Sequence, residues 1–207
     1  MPSASLRRAT VSQSGFVENL SSWLPYGLQQ RDFQNALDAL YDYFHAVNTA
    51  LMGRGLEWME NTVRAAAVSN IISDLAQAAV AKHSNGLVVN RKHNGHPDLI
   101  PHGTYPDDSV QSGEEGVEIK STRGRVADTH GARTGWVCQF NYKVDPEAII
   151  AARWPTVVEH IYLAHLDPSL YRRNIRQTEL GTHTSTPDAE GMRVLRAGLL
   201  YEDLSVR

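Results

Sequence analysis

The chain of 207 residues is 42% hydrophobic, enough to bury one sizeable core and hardly enough for two independent domains. A formal net charge of -3 argues against a clamp that holds nucleic acid by overall positive charge, since such domains are usually basic. Cys138 is the only cysteine, which excludes an intrachain disulfide, and no apolar run approaches a membrane span or a signal-peptide core, so the expected setting is soluble, reducing and cytoplasmic.

Residues 1–30 carry several serines, Arg7 and Arg8, and a turn signal at Pro25-Tyr26-Gly27, without a sustained period. They are expected to form an N-terminal arm, packed through Phe16, Trp23 and Tyr26 on the body or on a second subunit. Residues 31–207 are expected to be a single domain. From Asp32, the residues Phe33, Leu37, Leu40, Phe44, Val47 and Leu51 step by three and four along one face, which predicts a long helix. Gly53 and Gly55 break it. A second long helix is expected from Leu56 to Asn85-Gly86, with Met59, Val63, Ala66, Ala67, Ile71, Leu75 and Ala78 turned to the core. Its first turn holds Glu57 and Glu60, where carboxylates suit the helix dipole and Glu60 can pair with Arg64.

Leu87-Val88-Val89 reads as a strand, and the basic run Arg91 to Gly95 leads into His96-Pro97-Asp98 and a second apolar stretch, Leu99-Ile100. Pro101 to Gly116 is broken by glycine and proline and is expected to be a loop. Val117-Glu118-Ile119-Lys120-Ser121 is a strand in which Glu118 and Lys120 share one face above an apolar underside. Acids crowd before Lys120 (Asp107, Asp108, Glu114, Glu115, Glu118), whereas Arg123, Arg125, Arg133 and Lys143 follow with only Asp128 between them. Trp136 to Val144 alternates as a strand, Asp145-Pro146 opens a short helix to about Arg153, and Val157 to Leu166 is a buried strand. Strand, helix, strand implies a mixed α/β sheet. Arg172, Arg173 and Arg176 form a basic cluster and Thr182 to Thr186 a small polar run. A helix starts at Thr186-Pro187-Asp188 and ends at Gly198, and Leu199 to Leu204 closes the chain.

Pro97-Asp98 followed by Glu118-Ile119-Lys120 resembles the motif of the PD-(D/E)xK nuclease superfamily, which includes many type II restriction endonucleases. The resemblance is specific over residues 96–122 and architectural elsewhere. It implies an α/β, restriction-endonuclease-like core, a mixed central sheet flanked by helices, here with two long N-terminal helices. It also implies Asp98, Glu118 and Lys120 as the catalytic set. Asp98, Glu118 and the Ile119 carbonyl would hold Mg²⁺, with Mn²⁺ as a substitute, Glu60 is the candidate third acid, with Glu57 beside it, and Lys120 would position or activate the attacking water. Arg123, Arg125, His130 and Arg133, directly after the catalytic strand, are the expected DNA contacts. The expected partners are double-stranded DNA, a second copy of the chain in a symmetric dimer, and a cognate DNA methyltransferase acting on the same site.

Three other readings stay open at this level. His93, His96 and His102 surround Asp98 and could hold zinc with it. Alternatively, Glu118 and Lys120 merely pair in a non-catalytic metal- or DNA-binding protein, or the same site serves a repair, junction-resolving or transposition nuclease. Cys138, in its apolar context, is expected to be a buried structural thiol.

Overall fold

In the computed structural model, which describes residues 6–145, 152–174 and 184–205, the first amphipathic stripe forms α1 (Gln30–Met52). Its start is fixed by Asp32, whose side chain accepts a hydrogen bond from the Gln29 amide at 2.8 Å, and it buries Phe33, Leu37, Leu40 and Phe44. The expected second long helix is two. A four-residue turn, α2 (Met59–Thr62), is separated from α3 (Ala65–His83) by Val63 and Arg64, both in extended conformation. The buried stripe of α3 is Val68, Ile72, Ala76, Ala79 and Val80, one residue on from the expected Ala67, Ile71, Leu75 and Ala78. The helix is apolar on two adjacent stripes, so periodicity alone leaves its rotation ambiguous by a residue. Val63 and Ala66, expected in the core, are exposed.

Six strands form the central sheet: β1 (Leu87–Val89), β2 (Leu99–Pro101), β3 (Val117–Thr122), β4 (Gly135–Lys143), β5 (Val157–Leu166) and β8 (Leu199–Glu202), in that spatial order. Only β3 and β4 are parallel, and every other neighbouring pair is antiparallel. The fold is therefore mixed α/β with a mostly antiparallel sheet. Both strands expected within residues 136–166 are present, and they pair antiparallel. The helix expected from Pro146 falls largely on residues 146–151, outside the described residues.

Helices α1 and α3 cover one face. Ile119, Cys138, Phe140 and Leu163 join their core, and Cys138 is wholly buried, its thiol pushed well above the usual range by desolvation. The opposite face carries a smaller cluster, Val137, Ala164, Leu166 and Leu195, the last from α4 (Ala189–Ala197). That helix begins where the sequence suggests, with the Asp188 side chain accepting from the Gly191 amide. A separate two-stranded ribbon, β6 (Tyr171–Arg173) and β7 (Ser185–Pro187), lies beside this second face. The N-terminal segment packs on the body: Phe16 bridges to Tyr201 and their rings lie 4.8 Å apart, while Leu20, Leu24 and Leu28 are buried. Among the described residues, no helix is long and apolar enough to cross a membrane.

Candidate active site

Asp98 sits at the mouth of β2, one residue before its pairing with β3 at Leu99–Val117. Its backbone is held on two sides, by Gln77 Nε2 and by the Asn90 amide, both donating to its carbonyl at 2.9 Å. Its carboxylate is aimed at β3, where Oδ2 accepts the Ile119 amide at 2.7 Å. Close approach of the two strands depends on Gly116, whose φ is +138° and at which a Cβ would lie 2.1 Å from the Leu99 carbonyl oxygen. Along β3, burial alternates as expected: Val117, Ile119 and Ser121 face the core, while Glu118 and Lys120 face the other way. Lys120 Nζ lies 2.5 Å from Glu118 Oε1, and His96 Nδ1 lies 2.7 Å from Glu118 Oε2. These groups line one cleft of about 230 Å³.

Its electrostatics follow from two carboxylates under low solvation. Burial, followed by the neighbouring Glu118 charge, pushes the Asp98 carboxyl up to about 7. Burial also opposes ionisation of Glu118, but His96 and the Lys120 ammonium outweigh it and hold that carboxyl down at about 2. Glu118 is thus an anion with its countercharges in place, and Asp98 is an acid that gains most from an added cation. Glu118 Oε2 is buried, with His96 Nδ1 as its close neighbour. An ionised carboxylate in a cleft, next to a second carboxylate held above its normal range, fits a hard divalent cation. Among the described residues, no three His, Cys, Asp or Glu side chains gather into a metal-holding group. Asp98 and Glu118 would therefore hold Mg²⁺ together with water and substrate oxygens, as that ion is often held.

Not every expected site residue reaches this cleft. Glu60 does not: its carboxylate accepts Asn48 Nδ2 at 2.8 Å and Thr156 Oγ1 at 2.7 Å and lines a different, much smaller cavity. It ties α1, α2 and the approach to β5 together, so its expected place as third acid, and its pairing with Arg64, are replaced by a structural role. Glu57 pairs instead with Arg153. Glu60→Ala should cost about 1–3 kcal/mol by leaving Asn48 and Thr156 unpaired. Calorimetric titration should show its Mg²⁺ affinity unchanged. Of the expected DNA contacts, His130 and Arg133 line the cleft, with Arg133 Nη1 3.1 Å from Ser112 Oγ. Arg123 and Arg125 are exposed outside it, Arg123 turning to the Val144 carbonyl at 3.4 Å. The three histidines do not assemble: His96 serves Glu118, His102 pairs with Asp108 at 3.0 Å, and His93 is exposed. Arg176 and Thr182 lie outside the described residues.

Two cleft residues have roles that the sequence reading does not assign. His96 neighbours the motif in sequence, and its position directly before Pro97-Asp98 is the available signal for an acid-orienting role. Tyr171 also lines the cleft, with its ring among the residues packed on the Val137 cluster. It comes from a strand more than fifty residues after Glu118, and only tertiary contact reveals it. No family model matches the chain, and searches of curated proteins and of solved structures likewise return no significant match.

Proposed function

We propose that the protein is a Mg²⁺-dependent endonuclease acting on double-stranded DNA, of the type II restriction kind, built on a PD-(D/E)xK-like core. The observation that carries this reading is the convergence of Asp98, Glu118 and Lys120 in one cleft. A structural ion pair between Glu118 and Lys120 would not need a second buried carboxylate, Asp98, set beside it at the cost of its own ionisation.

In this reading Asp98, Glu118 and the Ile119 carbonyl would hold the cation. When bound, Mg²⁺ supplies charge neutralisation for the phosphate as negative charge builds on it. Lys120, fixed on Glu118 Oε1, directs its ammonium at the water that attacks phosphorus in line. The bond from phosphorus to the 3′ oxygen breaks, giving a 5′ phosphate and a 3′ hydroxyl, and the proton lost by water is balanced by the one gained by the leaving oxygen. His96 keeps Glu118 ionised and oriented. Two copies of the chain would each cut one strand of a palindromic site, protected in the host by a methyltransferase of the same specificity.

Purified protein incubated with mixed plasmid and phage DNA should yield discrete bands with Mg²⁺ and none with EDTA. Smearing would instead favour a nuclease without sequence preference. No cutting with Mg²⁺ or Mn²⁺ would remove the nuclease reading.

A further inference from the structure

The ribbon formed by β6 and β7 is joined to the loop that follows the catalytic strand. Thr129 and Ser185 exchange both backbone hydrogen bonds, at 2.8 and 2.9 Å, and Thr186 Oγ1 donates to Asp128 Oδ1 at 2.6 Å. Loop and ribbon therefore form one wall of the cleft, and Thr129, His130, Arg133 and Tyr171 line it. Tyr171 is held beside Val137, the direct register partner of Glu118 on β4. Among the described residues its hydroxyl makes no hydrogen bond. Side chains two apart on a strand share a face at a spacing of about 6.8 Å, so Arg173, opposite Ser185, shares the Tyr171 face, while Arg172 is on the other. Both arginines are exposed and pair with no carboxylate among the described residues.

We infer that β6 is the track for the DNA strand being cut, with Tyr171 against the nucleotide at the reacting phosphate and Arg173 on a neighbouring backbone phosphate. The inference rests on the nuclease reading and adds where the substrate strand leaves the cleft. A polyanion is the occupant argued for: Arg133 lines the cleft, Arg173 is exposed on the strand that carries Tyr171, Asp128 at the loop–ribbon junction is engaged by Thr186, and the step from Tyr171 to Arg173 is of the order of one nucleotide along an extended backbone. An aromatic ring beside the reacting group also suits a base or sugar, which stack or pack on such faces regardless of sequence.

The test compares Arg173→Glu with Arg172→Glu, which change the net charge equally on opposite faces of one strand. Binding of a fluorescein-labelled random-sequence DNA duplex, with Ca²⁺ replacing Mg²⁺, is followed by anisotropy over a salt series, and cleavage is followed separately. Arg173→Glu should weaken binding about tenfold, and Arg173→Ala should make the slope of log K against log salt shallower by about 0.9, the value for one lost phosphate contact. Arg172→Glu should weaken binding several-fold less. Tyr171→Ala, which removes the ring, should weaken binding and slow cleavage. Equal effects of the two glutamate variants, or no effect of either, overturn the track while leaving a cleaving wild type intact. A wild type that neither cleaves nor binds duplex in a salt-dependent way removes the nuclease reading, and this inference falls with it.

Discussion

Replacing Lys120 by alanine is expected to lower Mg²⁺-dependent DNA cleavage by about 10²–10⁴-fold, the range typical of a group that positions or deprotonates a nucleophile, while duplex affinity stays near the wild-type value. The geometry sets the direction. Lys120 Nζ rests on Glu118 Oε1, its side chain is 20% exposed and it lines the cleft, where in the proposed nuclease it would meet the reacting phosphate and not the flanking backbone. Its loss should therefore appear in kcat and leave binding intact. Because alanine also removes a countercharge from Glu118, Lys120→Arg is the necessary companion. It keeps the cation and the pairing, but arginine stays protonated in proteins. Recovery of cleavage in the arginine variant would assign Lys120 to charge placement; continued failure in a protein that melts normally would assign it to proton transfer. An alanine variant that cuts at the wild-type rate would remove Lys120 from the mechanism.

How much of this arrangement is legible in the sequence depends on the range of the physics involved. The stripe Phe33, Leu37, Leu40, Phe44 determines α1 because burial of one face is a local pattern. The alternation Val117, Ile119, Ser121 against Glu118, Lys120 likewise determines which way β3 faces. The pairing of Asp98 with that strand is also readable, since a motif that ends one apolar run and occupies another leaves few other placements. The break at Val63 and Arg64 is not readable: neither residue is a helix breaker, and it is the tethering of Glu60 by Asn48 and Thr156 that holds α2 apart from α3. For the same reason an acid on a helix upstream of the motif looks like a ligand until its partners are known. The cleft wall is the least legible part. Arg123 and Arg125 follow β3 directly, yet the loop turns them out. Its course is held by Gln139 and Asn141, whose buried amides bond to the backbone at Arg125, Gly124 and Ala127. Tyr171 returns to the site through the Thr129–Ser185 bridge, a contact between distant segments that no local pattern encodes.

Asp98→Asn should abolish cleavage and at the same time stabilise the metal-free protein. The Asp98 carboxyl titrates near 7 in the fold against about 3.9 in an unfolded chain. The folded state therefore binds its proton more tightly, so the contribution of this group to stability is fully present below the unfolded value and is lost as pH rises through about 7. At pH 8 the wild type carries the whole cost of an ionised Asp98 beside Glu118, whereas asparagine carries none, and its side-chain oxygen can still accept the Ile119 amide. Allowing for relaxation and water entry, the gain is on the order of 1–2 kcal/mol, or about 2–8 °C in Tm for a chain of this size. In EDTA the Tm difference between variant and wild type should be smaller at pH 5, grow towards pH 7 and level off by pH 8. Adding Mg²⁺ should reverse the order at pH 8, because a cation that binds the folded wild type stabilises it by mass action and the variant has lost one of its two carboxylates. Such a reversal is what separates a metal site from a structural ion pair. If Asp98 were only a structural acid, its asparagine variant would show the same Tm advantage with and without Mg²⁺; and if the variant melted below the wild type at pH 8 in EDTA, the strain assigned to the Asp98–Glu118 pair would not exist.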